Sequence, residues 1–209
     1  KFGLHPFVVT LATQLIVYGM LLMYLTLGSN NGQSISGLSD SYKNFITGSI
    51  LQVGPKNTPI PNFVWYVVAL TVVMWFVWNK TTFGKNMFAV GSNPEAANVS
   101  GVNVLRTIIL VFTLAGAMYG ITGFIEGARI GSNSALTGQN YELDAIAAVV
   151  LGGTSLAGGK GRIVGTLIGA LILGFLNNGL NLLGVSSYYQ MIVKAVVILL
   201  AVLVDNKKQ

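Results

Sequence analysis

Residues 107–125 read TIILVFTLAGAMYGITGFI, and none of these nineteen side chains is charged. A transmembrane helix needs about 20 mainly apolar residues, because a bilayer core is about 30 Å thick and each helical residue adds about 1.5 Å. The whole chain has the same character, with 53% hydrophobic residues, 9% charged residues and a mean hydropathy of +0.68. Soluble domains carry about 25% charged residues. The sequence therefore predicts an integral membrane protein.

Five further apolar segments have a length near that of a membrane span. With 107–125 as the third in chain order, the others are 6–27, 62–78, 143–157, 163–183 and 189–204. We expect an all-α, polytopic transmembrane helical bundle of about six spans, and nothing in the sequence divides residues 1–209 into two domains. The fourth segment is short and ends in GGTSLAGGKG, so it is either a span or a broken, partly re-entrant element.

The positions of lysine and arginine predict which side of the membrane each loop occupies. Cytoplasmic loops carry an excess of these residues. If the C-terminus is cytoplasmic, eight basic residues lie inside and three lie outside. The inside set is Lys1, Lys80, Lys85, Arg106, Lys160, Arg162, Lys207 and Lys208, and the outside set is Lys43, Lys56 and Arg129. This scheme requires an even number of spans, so it predicts that the fourth segment crosses, and it explains the net charge of +6 without nucleic acid.

A polar segment, residues 80–106, interrupts the apolar pattern with KTTFGKNMFAVGSNPEAANVSGVNVLR. Within it Asn93 is a favourable N-cap, Pro94 suits the first helical position and Glu95 faces the positive end of the helix dipole. Gly101 is a natural helix stop. A helix over 94–100 is about 10 Å long and too short to cover a core of its own. It is either a surface element between spans or a site that another protein binds, and the charge scheme places it in the cytoplasm.

Signals for catalysis or cofactor binding are weak in this sequence. There is no cysteine, and the one histidine, His5, has no second histidine beside it for a metal site. The stretch GGTSLAGGKGR differs from a phosphate-binding P-loop, because Thr154 and Gly161 replace the required glycine and Ser/Thr. Its glycines suit tight backbone turns or close helix packing, and Gly165 with Gly169 forms a small-xxx-small pair. We therefore expect no enzyme activity, no cofactor and no metal in this chain.

Polar side chains inside the predicted spans are candidates for a translocation path, because their burial in hydrocarbon is costly. They are Gln14, Asn177, Asn178 and Asn181. For each asparagine, a hydrogen bond between helices is an equally good explanation. Near the outer span ends, the carboxylates of Glu126, Glu142 and Asp144 are expected to be solvated or paired with Arg129. Lys194, inside the sixth span, is expected to extend its ammonium group towards the interface.

Two long motifs resemble the permease subunits of bacterial ribose, xylose and galactose ABC importers. Residues 89–106, AVGSNPEAANVSGVNVLR, resemble their cytoplasmic loop, and residues 142–190 resemble their C-terminal signature. HPFVVTLAT, residues 5–13, resembles the start of one of their spans. LGSNNGQSISGL (27–38) and GFIEGARIGSN (123–133) are most similar to the galactose and methyl-galactoside branch.

This resemblance implies a permease of about ten spans in the bacterial inner membrane, of which residues 1–209 are the C-terminal part. It implies a homodimer in membrane lipid, two cytoplasmic ATPase subunits and a periplasmic or extracellular sugar-binding protein as partners. The segment 80–106 then contains the coupling helix that contacts the ATPases. Its residues are Asn93, Pro94, Glu95, Ala96, Ala97, Ser100 and Gly101.

Two alternatives remain at this stage. An ion-gradient-driven secondary transporter or channel is expected to carry paired carboxylates within its spans. Here all six Asp and Glu residues lie at predicted span ends or in loops. A structural membrane subunit without a translocation path is the other alternative.

Overall fold

The computed structural model describes residues 6–27, 31–53 and 58–206 of the chain. Several residues used in the sequence analysis, Lys1, His5, Lys56, Lys207 and Lys208, lie outside these ranges. The helices are α1 (Pro6–Leu27), α2 (Asp40–Thr47), α3 (Asn62–Lys80), α4 (Thr82–Ser92), α5 (Pro94–Val99), α6 (Val104–Ile130), α7 (Tyr141–Leu151), α8 (Ile163–Leu182) and α9 (Ser187–Asn206). Two short strands, β1 (Ser49–Val53) and β2 (Thr58–Pro61), pair antiparallel.

The long helices confirm the predicted all-α transmembrane class. Among the described residues, α1, α3, α6 and α8 are each long and apolar enough to cross a membrane. At most 11% of the apolar window of any of these four helices is buried within the chain. Side chains such as Leu15 and Phe175 are 70% and 73% exposed. Such surfaces suit a lipid or protein environment rather than water.

The fourth predicted segment is broken rather than continuously helical. Helix α7 ends at Leu151, so its 11 residues extend about 16 Å, roughly half of a bilayer core. Residues 152–162 form a loop in which Gly153, Gly158 and Gly159 all have positive φ. Helix α7 alone is therefore too short to cross a bilayer core, and the broken element is the better description of this segment. The reason is local, because positive φ is accessible mainly to glycine and ends regular helix. That the whole segment crosses stays a prediction.

The segment between α1 and α3 contains structure that the sequence analysis did not predict. Ser39 caps α2 by accepting a hydrogen bond from the amide of Tyr42, and the β1–β2 pair follows. The buried Asn62 connects these pieces, since its Oδ1 accepts from the Ile50 amide and its Nδ2 donates to the Phe45 carbonyl. The described part of this predicted external segment, residues 31–53 and 58–61, is thus hydrogen-bonded to the start of α3.

The described residues group into two compact units. The first comprises the described residues up to Trp65 together with Tyr119–Gln139. Within it, Ile35 and Asn133 exchange two backbone hydrogen bonds of 2.8 and 2.9 Å, and the Tyr42 hydroxyl donates to the Phe124 carbonyl. The segment after α1 therefore packs on the C-terminal end of α6. Such a contact is possible because the predicted topology places both segments on the same side of the membrane.

The second unit comprises Tyr66–Met118 and the described residues from Asn140 onward. Its tightest packing is between α7 and α8, around Ala147, Ala148 and Leu173. A Cβ placed on Gly169 would lie 2.1 Å from the carbonyl oxygen of Ala148, and one on Gly165 would lie 2.1 Å from that of Gly152. The two backbones therefore touch, which confirms the predicted use of Gly165 and Gly169 in close helix packing.

Candidate functional site

Helix α5 has the predicted capped structure. Asn93 has extended backbone, and its Oδ1 accepts hydrogen bonds of 3.0 Å from the amides of Glu95 and Ala96. Pro94 occupies the first turn, where a missing amide hydrogen has no cost. The sequence thus correctly predicted how this helix begins.

The other end of α5 is closed by a Schellman motif. Gly101 has a φ of +83°, and its amide donates to Asn98 while the amide of Val102 donates to Ala97, both at 3.0 Å. Ser100 caps the helix and also donates its hydroxyl to the Ala96 carbonyl. The predicted stop at Gly101 is confirmed. A helix of six residues closed at both ends in this way is a defined, rigid unit.

The side chains of α5 divide into one buried and several exposed positions. Ala97 is 5% exposed, so it packs within the chain rather than on its surface. Glu95, Ala96 and Asn98 are exposed. Val99, the last residue of α5, is 90% exposed. The sequence did not mark Val99 as a contact residue, because a helix of six residues is too short for a pattern that shows which side chains are exposed.

A second helix, α4, precedes α5 and was also not predicted. Thr81 caps it, accepting from the Gly84 amide at 3.2 Å and donating to the Val77 carbonyl at 2.6 Å. Gly84 packs so closely that a Cβ there would lie 2.2 Å from the carbonyl oxygen of Trp78. Helix α4 is therefore held against the end of α3 and supports α5, with which it packs.

Two open grooves flank the start of α6. The larger, about 660 Å³, lies between α5 and α6 and includes Glu95, Asn98 and Leu105. The smaller, about 300 Å³, lies between α4 and α6 and includes Asn86 and Arg106. With α5 they form a surface of mixed polar and apolar character suited to a protein partner.

The predicted translocation residues are divided between the two units. Gln14 is exposed on α1 in the first unit. On α8, Asn178 is exposed, and Asn181 accepts a 2.8 Å hydrogen bond from Nε2 of Gln190. The Oδ1 atom of Asn177 is buried without a hydrogen-bond partner among the described residues. Asn181 thus makes a hydrogen bond between helices, which was the alternative explanation for the asparagines. The assignment of the four residues to a translocation path stays a prediction.

Two ion pairs account for most of the charged groups near the predicted outer span ends. Arg129 binds Glu126 through two contacts of 2.7 and 2.6 Å, as expected. Asp144, however, pairs with Lys194 at 2.9 Å. Lys194 thus forms an ion pair between α7 and α9, a contact that the sequence did not predict. The sequence could not show this pair, because its members are fifty positions apart.

Comparison with known proteins defines the class of this chain. Residues 1–202 match the family described as "Branched-chain amino acid transport system / permease component". The chain belongs to this permease family. No solved structure matches the chain.

Sugar-import permeases are among its relatives. The chain is 53% identical over its full length to the ribose import permease of Escherichia coli strain K12, and 48% identical to that of Bacillus subtilis strain 168. It is 42% identical, over 97% of its length, to the galactose/methyl galactoside import permease of Haemophilus influenzae. These alignments cover 63%, 62% and 59% of the respective relatives. The chain therefore spans somewhat less than two thirds of the proteins it matches.

Proposed function

We propose that this chain is the C-terminal part of the permease subunit of an ATP-driven monosaccharide importer, and that α5 is its coupling helix. The observation that carries the proposal is the doubly capped α5, which exposes Glu95 and Val99 in a chain of a permease family. The sugar-import permeases among the relatives support the substrate class. Translocation needs no covalent chemistry in this chain.

The coupling role follows from the rigidity of α5 and from its exposed side chains. A helix closed at both ends moves as one piece, whereas an uncapped helix of six residues would fray. Val99, which is 90% exposed, supplies apolar surface at the end of α5, and burying such surface against a partner is favourable. Ala97 contributes by packing inside the chain, so its role is to seat α5 rather than to touch the partner.

The proposed partners are two ATP-binding cassette subunits on the cytoplasmic side, a sugar-binding protein on the opposite side and a second permease copy. ATP hydrolysis on the partner subunits would move α5 and switch the spans between inward-facing and outward-facing states. Asn93, Pro94, Ser100 and Gly101 maintain the helix, while Glu95, Ala96 and Val99 form its contact surface. Gln14, Asn177, Asn178 and Asn181 are proposed to line the path.

Two sugars are proposed as substrates to be compared. The 53% identity to a ribose import permease favours ribose. Galactose is favoured by residues 27–38 and 123–133, the stretches most similar to the galactose branch. Their described parts meet in the structure through Ile35 and Asn133, so they can form one surface. Uptake by the full-length transporter is measured with labelled ribose in the presence of unlabelled galactose, and with labelled galactose in the presence of unlabelled ribose. The sugar that competes more strongly is the better-supported substrate.

The proposal is tested on the full-length permease, co-expressed with its ATPase and binding protein. Val99→Ser is compared with Ile50→Ser, a control that removes another β-branched side chain, 79% exposed, from β1. Val99→Ser is expected to reduce ATPase co-purification by about tenfold, equivalent to about 1.4 kcal/mol. Ile50→Ser is expected to leave it unchanged.

Glu95 and Ala97 provide the second part of this test. Glu95→Gln and Ala97→Leu are expected to insert in the membrane normally while separating ATP hydrolysis from sugar uptake. Ala97→Leu acts by displacing α5, because the side chain it enlarges is buried. Unchanged ATPase binding in Val99→Ser, together with normal sugar-stimulated uptake in the other two variants, would contradict the assignment.

A further inference from the structure

The loop between α7 and α8 touches the end of α4 through glycine backbone. A Cβ placed on Gly158 would lie 2.3 Å from the carbonyl oxygen of Gly91. One placed on Gly159 would lie 2.8 Å from the Cβ of Ser92, and one on Gly91 would lie 3.2 Å from the amide nitrogen of Gly159. The two segments therefore meet at atomic contact with no side chain between the glycine backbones.

Turn geometry alone does not require this contact. Gly153, in the same loop, also has positive φ, at +78°, yet nothing lies within 4 Å of a Cβ placed on it. Gly158 and Gly159 have φ of +92° and +69° and additionally face α4. They therefore satisfy two constraints, one from the turn and one from the close approach.

Both sides of the contact are firmly connected to the elements that matter for coupling. On one side, Ser92 immediately precedes Asn93, the N-cap of α5. On the other side, the loop begins at Gly152, whose backbone packs against Gly165 of α8. The loop is also braced internally, since the Ser155 amide donates to the Lys160 carbonyl at 3.0 Å.

We propose that the contact of Gly91 and Ser92 with Gly158 and Gly159 transmits the displacement of α5 to α7 and α8. This inference rests on the proposed function of α5 as the coupling helix. Direct backbone contact suits transmission, because close-packed atoms pass on a displacement with little compression. The glycines are positioning residues, because they set how closely α4 and the loop meet.

Alanine substitutions with matched controls test the contact. Gly158→Ala and its control Gly153→Ala both place alanine at a positive φ, +92° and +78°, but only the first also places a methyl group against Gly91. A milder pair is Gly91→Ala and Gly116→Ala, both in helices, where only Gly91 has a neighbour near its Cβ. Each variant is made in the full-length permease and reconstituted with its ATPase and binding protein in lipid vesicles.

The measured quantity is sugar taken up per ATP hydrolysed. Gly158→Ala is expected to lower this ratio about tenfold relative to Gly153→Ala, within the 5–150-fold range of typical coupling between sites. Gly91→Ala is expected to lower it by a smaller factor relative to Gly116→Ala. ATPase co-purification is expected to remain at the unsubstituted level in all four. If both test variants have the same uptake per ATP as their controls, the proposed transmission through this contact is wrong. If Gly158→Ala is not recovered in the membrane, the comparison of Gly91→Ala with Gly116→Ala tests the proposal alone.

A disulfide supplies an independent test, because the chain contains no cysteine of its own. Ser92→Cys with Gly159→Cys, in a cysteine-free full-length background, places two Cβ atoms close enough for a disulfide after a small relaxation. A contact that moves as one unit should tolerate the link, so we expect the oxidised protein to keep at least about half of its uptake. Loss of uptake on oxidation and recovery on reduction would show that the contact must open, which overturns the proposal.

The outcomes also separate this inference from the function on which it rests. Loss of ATPase co-purification in Val99→Ser supports α5 as the docking element whatever the glycine variants do. If Val99→Ser loses ATPase co-purification while the glycine variants keep the uptake per ATP of their controls, only the transmission route is refuted. Val99→Ser with normal ATPase binding refutes the docking role itself.

Discussion

The carboxylate of Asp144 lies 2.9 Å from the ammonium group of Lys194, joining the first turn of α7 to α9. Their side chains are 39% and 25% exposed, so the pair is partly shielded. The contact also lies near the Asn181–Gln190 hydrogen bond, which connects α8 to α9 four residues earlier on that helix. Helix α9 is thus attached to both α7 and α8 by polar groups.

Neutralising either member of this pair is expected to destabilise the packing of α9. Asp144→Asn and Lys194→Met should each lower the free energy of unfolding by about 1 kcal/mol, and a double-mutant cycle should give a coupling of about 0.6 kcal/mol. Thermal unfolding of the purified permease in detergent measures both quantities. Glu142→Gln, an exposed neighbour on the same helix turn, is the control and should change stability by less than about 0.5 kcal/mol. Additive single effects would show that the two charges do not interact.

Enlarging Gly165 is expected to separate α7 from α8. Its added methyl group would lie 2.1 Å from the carbonyl oxygen of Gly152, so Gly165→Ala should cost about 1–3 kcal/mol. Gly174→Ala lies on the same helix with nothing within 4 Å, so it should be neutral or slightly stabilising. Resistance to unfolding in a denaturing detergent compares the two variants. Equal stability of both would mean that the α7–α8 contact is not close.

Removing the N-cap of α5 is expected to loosen the helix without changing its exposed side chains. Asn93→Ala loses the acceptor for the Glu95 and Ala96 amides and should cost about 1 kcal/mol locally, whereas Asn93→Asp keeps an acceptor. Hydrogen exchange at these two amides should accelerate in the alanine variant and stay near the native rate in the aspartate variant. Unchanged exchange in Asn93→Ala would show that the side chain is not the cap.

Cysteine labelling tests the predicted orientation in the membrane. Val99→Cys and Asn44→Cys place single thiols at exposed positions of α5 and α2 in a cysteine-free background. A membrane-impermeant maleimide added to intact spheroplasts should label Asn44→Cys and should label Val99→Cys only after permeabilisation. The opposite pattern would invert the orientation deduced from the basic residues.

Sequence patterns predicted the elements whose signals are local. The bounds of α1 agree with the predicted segment 6–27, and the caps of α5 at Asn93 and Gly101 were correctly identified. Helix α4 and the β1–β2 pair were missed, because both lie in polar segments without a strong hydrophobic period. The burial of Ala97 and the exposure of Val99 were missed as well, since α5 is too short for a periodic pattern to show which face is covered.

The amino-acid sequence by itself determined the membrane class, the positions of the long helices and the two caps of α5. These properties depend on apolar length and on residues within one helical turn, so neighbouring positions contain the necessary information. Only the tertiary structure showed that Asp144 pairs with Lys194 and that Gly158 meets Gly91. Each of these depends on atoms brought together from distant positions, and a glycine backbone contact leaves no chemical signature that distinguishes it from an ordinary turn. For this reason, the capped helix α5 could be found in the sequence, whereas the proposed route from that helix to the spans required the fold.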